Sequence, residues 1–327
     1  MGDRMKNWKF SVNAAFLGKR HDRFTQYQPD RPLEEKIRLA AQISGVDGIE
    51  LKYPKDFYEI KLTKSLLDEH DLTCSAVNVD IKDAAHFRFG ALSNNDPQKR
   101  RMAVNLLQEG MDVAAQIGID LVTTCPLADG YDYPFQIDYG DAWGFFIDSI
   151  KAAASHRRDV RLALEFQPHE PHARIMLSNV GILLHVLDEV AMNNVGANLD
   201  IGHSFAALET PAESVVLLAR KGRLFYLHTN DNTGDGGDWD MISGSVHFWH
   251  WLELLLTLDR VGYEGWLGAD INPKHMRPDQ AFAANNRMIR KMTDMIARIG
   301  PDKMAEMVKK NGNTGEIYDY LIKQLMS

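Results

Sequence analysis

The sequence predicts an α/β protein that folds as a (β/α)8 TIM barrel with a C-terminal helical extension. Three observations lead to this fold class. Short apolar runs alternate with helical patterns eight times along the chain. No Gly-, Ser- or Pro-rich linker divides the sequence, and its 327 residues are enough for one such barrel. We expect the barrel over residues 1–300 and the extension over residues 301–327.

The first four strand–helix units follow from alternation, a proline and a helix cap. Strand one is expected over residues 10–16, where apolar and polar residues alternate. Pro32 opens a helix that reaches about Ser44, because proline is favoured in the first turn of a helix. Asp96 caps a long helix that ends at Ile117. The other expected elements of this half are strands over 48–51, 72–79 and 119–124 and a helix over 63–70.

The second half repeats the alternation, and each of its strands ends in a polar residue. Strands are expected over residues 160–166, 195–200, 224–229 and 265–271, with Glu165, Asp200, His228 and Asp270 at their ends. Helices are expected over 142–156, 179–190, 211–219, 248–261 and 278–299. Residues 302–326 add one or two helices beyond the repeating pattern.

Composition excludes several classes of protein. A formal net charge of -8 argues against a general nucleic-acid binder, which needs a basic surface. No run of about 18 apolar residues predicts a membrane span, and Met1–Lys6 is followed by no apolar core typical of a signal peptide, so we expect a cytoplasmic protein. Cys74 and Cys125 lie in or beside predicted strands and are expected to be buried free thiols. No dinucleotide or P-loop glycine motif is present.

The four polar strand ends predict a metal site. In barrels of this type the active site lies at the C-terminal ends of the strands, so Glu165, Asp200, His228 and Asp270 are expected to meet at one mouth. A single polar strand end is often merely solvated, and the prediction depends on all four converging. Three carboxylates and an imidazole suit Mn²⁺ best, with Mg²⁺, Co²⁺ or Zn²⁺ also possible.

A second set of potential ligands lies close by in the sequence. His203 follows Asp200 by one helical turn, and Asp238 and Asp240 are separated by one residue, a spacing that lets two carboxylates share an ion. We expect these three residues to offer a second metal position. The alternative is a Gly/Asp-rich turn held by side chain to backbone hydrogen bonds, which is favoured for Asp231 and Asp235.

Four stretches resemble the motifs of xylose isomerase. Residues 165–171 are similar to its E-x-K-P-x-E-P motif, residues 198–203 to its N-x-E-x-x-H, residues 238–240 to its D-x-D, and residues 263–273 to its last-strand Y-x-G…D-x-K-P. The order and rough spacing agree over residues 160–275. The sequence therefore resembles the xylose isomerase-like barrels, which include L-rhamnose isomerase, the ketose 3-epimerases and endonuclease IV-type enzymes.

The resemblance implies a divalent-metal-dependent sugar isomerase that interconverts an aldose and a ketose, with one or two bound ions. Glu165, His203 and Asp270 are the implied catalytic residues, and the Glu, Asp, His, Asp ligand order is most similar to that of L-rhamnose isomerase. A ketose 3-epimerase is the main alternative, with Glu165 and Asp270 as its acid/base pair, although those enzymes have glutamate as fourth ligand. A lyase or deglycosylase acting on a sugar derivative, or a barrel without chemistry, also stays open.

The chain departs from the isomerases at two places. Gln167 occupies the position of a lysine that helps to polarise the substrate carbonyl, and it is expected to bind substrate together with His203 and Trp143. The ring-opening His-x-x-Asp pair is not evident, and His86, near Asp80 or Asp83, is the candidate base. The side chains expected to shield the site from water are Trp143, Tyr131, Tyr133, Phe87 and Trp249.

The expected partner is a small sugar. No Ser/Gly-rich phosphate loop follows strands seven and eight, which favours an unphosphorylated substrate, and neither nucleic acid nor membrane is an expected partner. The amphipathic tail over 302–327 predicts a homo-oligomer, a dimer or tetramer, and the alternative is a helix packed on its own barrel.

Overall fold

Eight parallel strands close into a barrel, as the sequence predicts. The structure is a computed structural model that describes residues 7–170, 173–235, 237–310 and 313–326. Each strand pairs with its neighbours in chain order, and the eighth pairs with the first. The strands are β1 (Lys9–Asn13), β2 (Gly48–Tyr53), β3 (Thr73–Val79), β4 (Leu121–Thr124), β5 (Arg161–Glu165), β6 (Val195–Asp200), β7 (Leu224–Thr229) and β8 (Trp266–Ala269).

Eight helices follow the strands around the outside of the barrel. They are α1 (Leu33–Ala41), α2 (Ile60–Glu69), α3 (Pro97–Ile117), α4 (Tyr139–His156), α5 (Val180–Val190), α6 (Pro211–Arg220), α7 (Phe248–Val261) and α8 (Pro278–Ile299). Their starts follow local chemistry: Asp96 accepts the Gln98 N–H before α3, and Asn179 accepts the Ile182 N–H before α5.

The interior of the barrel is packed rather than open. Tyr226 is fully buried there, and its hydroxyl hydrogen-bonds Ser11 Oγ at 2.7 Å and Ser75 Oγ at 2.8 Å, so the ring joins opposite strands. Gly268 leaves room for it, because a Cβ at that position would lie 2.6 Å from the Tyr226 hydroxyl oxygen. The strand ends that carry the site therefore rest on a filled core.

Several strand boundaries differ from the prediction by one to three residues, and the ends of β1 and β8 are two examples. β1 stops at Asn13, whose side chain accepts the Ala15 N–H and starts a short 3-10 turn over Ala14–Leu17. β8 ends at Ala269, so Asp270 lies one residue beyond the strand. The long loop after β3 is ordered: it contains a short helix, Ala84–Phe87, and is tied down by Asp129.

Two further helices, α9 (Pro301–Lys309) and α10 (Thr314–Leu325), form the C-terminal extension. The Tyr320 hydroxyl donates to the Ile299 carbonyl at 2.6 Å, and the Tyr318 ring lies 5.4 Å from that of Trp249. The tail thus packs on its own barrel, and the predicted oligomer stays a prediction.

The prediction for the two cysteines is confirmed. Cys74 and Cys125 are both buried free cysteines. Across the described ranges, every helix is too short or too polar to cross a membrane.

Candidate active site

The ends of β5 to β8 bring together the four residues predicted as metal ligands. Glu165, Asp200, His228 and Asp270 are all buried, and each offers one donor atom within 4.8 Å of the others. His228 Nδ1 lies 2.9 Å from Asp270 Oδ2, 3.2 Å from Glu165 Oε2 and 3.7 Å from Asp200 Oδ2. We refer to these residues as the four-residue cluster. Its three carboxylates and one imidazole fit a divalent ion such as Mn²⁺.

A carboxylate on the opposite wall holds the other nitrogen of His228. His228 Nε2 lies 2.7 Å from Glu50 Oε2, and Glu50 is only 1% exposed. The second oxygen of Glu50 accepts from Asn78 Nδ2 at 3.0 Å and from Thr123 Oγ1 at 2.6 Å. Histidines that bind metals commonly donate their second N–H to such a carboxylate, which leaves the first nitrogen free to ligate. Glu50 is not one of the polar strand ends that predict the site, although an acidic residue inside an apolar strand is a signal for it.

Two asparagines position the carboxylates of the cluster. Asn198 Nδ2 donates to Glu165 Oε2 at 2.8 Å, and its own Oδ1 is a buried atom with no hydrogen-bond partner in the described parts of the chain. Asn230 Nδ2 donates to Asp200 Oδ2 at 2.9 Å, while its Oδ1 accepts the Gly202 N–H at 2.7 Å. A Cβ at Gly202 would lie 2.8 Å from that oxygen, so this contact requires glycine. Asn230 is a second residue that the sequence analysis missed.

The second predicted ligand set lies beside the cluster. His203 sits on a short helix, Ile201–Ala206, that Asp200 caps by accepting the His203 N–H at 2.8 Å. Its Nδ1 lies 3.2 Å from Glu165 Oε1 and its Nε2 lies 3.4 Å from Asp238 Oδ1. Asp240 is linked to the same region, because its Oδ1 accepts from Asn230 Nδ2 at 3.3 Å. An imidazole and two carboxylates thus adjoin the cluster on its cavity side.

The neighbouring acidic residues Asp231 and Asp235 have the structural role that the sequence favours. Asp231 accepts backbone N–H groups from Asn232, Val246 and His247. Asp235 accepts from the Gly237 N–H and the Trp239 indole. Both carboxylates therefore stabilise the loop after β7 and the turn that follows it.

Burial and mutual attraction perturb the protonation of these groups. Burial raises the pKa of Asp200 to about 7 and raises that of Asp240 well above its usual value. Burial also opposes the charge of Glu165, but His228 and His203 outweigh it and hold the pKa of Glu165 low. For both histidines, burial lowers the pKa, but attraction to the surrounding carboxylates raises it by more. The pKa values of His203 and His228 therefore both lie well above normal. The metal-free cluster is thus rich in protons that a cation would displace.

The cluster opens into a cavity of about 970 Å³ at the mouth of the barrel. Glu165, His203, His228, Asp238, Asp240 and Asp270 all contribute to its lining. Two of the aromatic side chains predicted to shield the site, Phe87 and Tyr131, also line it. Four cations also line it: Arg20, Lys52, Lys82 and Arg88.

Two predicted site residues are not brought to this cavity in the part of the chain that the structure describes. His86 is exposed and pairs with Asp83, because the short helix after β3 turns it outwards. Trp143 lies on α4, with its ring 5.7 Å from that of Phe146 in the helix layer. Neither side chain is among the described residues that line the cavity, so the structure lends no support to the expected roles of His86 as ring-opening base and Trp143 as substrate contact. The expected Tyr133 and Trp249 contacts are also absent from the described lining.

Gln167 does line the cavity, but its amide is already engaged. Its Nε2 donates to the His169 carbonyl at 2.8 Å and to Glu170 Oε2 at 2.8 Å. The last residue of the motif in which it stands, Pro171, lies outside the described residues.

Comparisons with known proteins agree with this geometry. A family model described as a xylose isomerase-like TIM barrel matches residues 37–292. Xylose isomerase from Thermus thermophilus is 26% identical over 213 residues, which are 63% of this chain and 54% of that enzyme. The chain thus spans about half the length of the curated relatives it matches.

Solved structures share the fold over most of the chain. The structure of L-ribulose 3-epimerase matches with a TM-score of 0.68 at 15% sequence identity. The match covers 92% of this chain and 98% of the epimerase chain. The 3-keto-D-glucoside 4-epimerase from E. coli has a TM-score of 0.67 at 15% identity, with coverages of 87% and 99%. At such identities the likeness shows the fold alone. Because the family model covers most of the sequence, the chain belongs to the xylose isomerase-like TIM barrel family.

Proposed function

We propose that this protein is a divalent-metal-dependent sugar isomerase that interconverts an aldose and a ketose. The observation that carries the proposal is the four-residue cluster, in which four buried donor atoms lie within 4.8 Å of one another at the floor of a cavity. Family membership supports the coarser function, a sugar isomerase or epimerase.

Glu165, Asp200, His228 and Asp270 would hold the ion, with Mn²⁺ as the best match to three oxygens and one nitrogen. A divalent ion bound there supplies Lewis acidity, which makes a sugar hydroxyl more acidic and polarises the carbonyl. Glu50 accepts the His228 Nε2 proton and so leaves Nδ1 available for ligation. His203, Asp238 and Asp240 would hold a second ion.

The residues around the cluster would handle the proton and exclude water. His203 lies between Glu165 and Asp238, which favour its protonated form, so its imidazolium is placed to give a proton to a sugar oxygen and to take it back. Phe87 and Tyr131 form apolar parts of the cavity wall, and a sugar seated there would be shielded from bulk water. Glu165, His203 and Asp270 are therefore the proposed catalytic residues.

A ketose 3-epimerase is the second candidate. It is favoured by the fold shared with known epimerases and by the placement of Glu165 and Asp270, both of which contact His228 Nδ1. An aspartate in the fourth position and the adjoining set of His203, Asp238 and Asp240 favour the isomerase instead.

Turnover in deuterated water separates these reactions. The Mn²⁺-loaded protein is incubated with unphosphorylated aldoses and ketoses, and products are followed by NMR. We expect aldose–ketose interconversion with the hydrogen retained in its shift between C1 and C2. Inversion at C3 with deuterium uptake would replace the isomerase by the epimerase, and metal binding without either reaction would favour a lyase. The Asp238→Ala variant should lose activity, whereas Asp188→Ala, which removes an exposed carboxylate paired with Lys221, should not.

A further inference from the structure

The four cations that line the cavity belong to β2 or to the loops that follow β1 and β3. Most of them are already engaged. Lys52 Nζ lies 2.8 Å from Asp80 Oδ2, and Arg20 donates to Asn272 Oδ1 at 3.1 Å while its guanidinium stacks 4.3 Å over the Phe16 ring. Lys82 differs: within the described ranges, its ammonium forms no ion pair at 4.0 Å or less.

The backbone at Lys82 is held in place. The Lys82 N–H donates to Asp80 Oδ1 at 3.1 Å, and the preceding Ile81 is fully buried. Further along the same loop, the buried Asp129 accepts the N–H groups of Ala91 and Ser93 at 3.0 and 2.7 Å. The side chain of Lys82 therefore extends into the cavity from a fixed base.

Lys82 keeps its positive charge at neutral pH. Burial lowers the pKa of its ammonium, but attraction to the sulfur of Cys125 and to the carboxylates of Asp80, Glu165 and Asp270 outweighs burial and holds the pKa above its usual value. Lys82 lines the same cavity as Glu165 and Asp270. It is thus a charged donor with hydrogen-bonding capacity to spare.

The amide of Gln167 cannot take this role. An amide nitrogen has two N–H groups, and both are used by the His169 carbonyl and Glu170 Oε2. The Gln167 oxygen is an acceptor and has no proton to offer a substrate oxygen. Gln167 therefore offers the cavity no free donor, whereas Lys82 lines the cavity from the loop after β3.

We propose that Lys82 Nζ binds the substrate oxygen that becomes negative during sugar isomerisation and stabilises its charge. In that reaction a hydrogen moves from C2 to C1 and a proton moves from O2 to O1, so no outside oxidant or reductant is needed. As the C1 carbonyl is reduced, its oxygen gains negative charge, and a fixed ammonium lowers the energy of that state. This inference rests on the proposed function.

The test removes the ammonium and leaves the metal ligands intact. Lys82→Met should lower kcat about 10²- to 10³-fold, the usual effect of losing one donor to a developing oxyanion, with a smaller change in KM. Lys82→Arg keeps the charge and should retain more of kcat than Lys82→Met. Lys64→Met, which removes an exposed lysine on α2, should leave kcat unchanged. Wild-type kcat in Lys82→Met, or equal losses in the two Lys82 variants, would overturn the proposal.

Two further readouts do not depend on activity. Mn²⁺ affinity of Lys82→Met, measured by calorimetry, should not fall, because the substitution removes a cation near the carboxylates; a loss of affinity would indicate a structural role and contradict the proposal. Acetylation of Lys82 in the Mn²⁺-loaded protein, followed by mass spectrometry, should be suppressed by sugar, whereas acetylation of Lys64 should not.

The outcomes separate this inference from the proposed function. A wild-type protein that converts no sugar refutes the isomerase. In that case the charge-stabilising role of Lys82 is refuted with it, while protection of Lys82 by a sugar would still support contact between the ammonium and the bound sugar. An active wild type with an unaffected Lys82→Met variant refutes the role of Lys82 alone.

Discussion

Replacing Glu50 by glutamine is expected to weaken Mn²⁺ binding at the four-residue cluster without removing a ligand. The two oxygens of Glu50 have different partners: one accepts from Asn78 and Thr123, and the other faces His228 Nε2 at 2.7 Å. In Glu50→Gln, the amide oxygen must face Asn78 and Thr123, because both are donors. The amide NH₂ then faces His228, whose Nε2 becomes an acceptor and whose proton moves to Nδ1. The nitrogen that should ligate is thereby blocked.

The expected magnitude follows from the role of such carboxylates. Losing the group that orients a ligating histidine weakens metal binding about 10- to 100-fold, which corresponds to about 1.4–2.8 kcal/mol. Calorimetric titration of the metal-free protein with Mn²⁺ measures this directly. Glu109→Gln is the matched control, since it makes the same chemical change at an exposed glutamate that accepts from the Tyr53 hydroxyl. Equal Mn²⁺ affinity in wild type and in a folded Glu50→Gln variant would refute the tautomer argument.

Three other predictions test the site and the scaffold. Asp200→Ala should abolish Mn²⁺ binding and activity while the far-ultraviolet circular dichroism stays that of a folded barrel, and a fully active variant would contradict the site. Mn²⁺ affinity should fall as the pH drops below about 7, because Asp200, whose pKa burial raises to about 7, and His228, whose pKa the nearby carboxylates raise, must both lose protons to ligate. The loss should be about tenfold per pH unit for each proton displaced, and calorimetry in buffers of different ionisation enthalpy counts these protons; an affinity independent of pH would contradict the protonated cluster. Lys36→Met leaves Asp56 buried without its ion-pair partner and should lower the free energy of unfolding in urea by about 3–5 kcal/mol. Lys221→Met breaks an exposed ion pair and should lower it by no more than about 1 kcal/mol. Equal losses in the two variants would contradict this prediction.

The sequence predicts the barrel well because each of its units carries its own local signal. β6 and β7 are found where apolar runs end in Asp200 and Thr229, and α8 begins at Pro278, as expected from its helix-starting proline. Errors arise where side chains compete with the strand pattern. Asn13 is an example, because its side chain accepts a backbone N–H and ends β1 three residues before the predicted boundary at Phe16.

The cluster could be predicted only in part, for a physical reason. Its ligands stand at the ends of strands, where polarity changes abruptly and is visible in the sequence. Glu50 is different because it stands within the apolar strand β2. It contacts His228 only because the barrel closes, which places Glu50 Oε2 2.7 Å from His228 Nε2. His86 shows the reverse case, a chemically suitable residue in a suitable loop that the short helix turns towards solvent. Ligands at strand ends can therefore be predicted from the sequence, whereas contacts between side chains across the barrel can be found only from the structure.

The central claim is that the four-residue cluster is a divalent metal centre on which sugar conversion depends. The most direct measurement is the metal content of the purified protein by inductively coupled plasma mass spectrometry. It is paired with turnover of aldoses and ketoses before EDTA treatment, after it, and again after Mn²⁺ is restored. We expect bound divalent metal, aldose–ketose interconversion, loss of turnover with EDTA and recovery with Mn²⁺. A protein that binds no divalent metal, or whose turnover EDTA leaves unchanged, would contradict the claim.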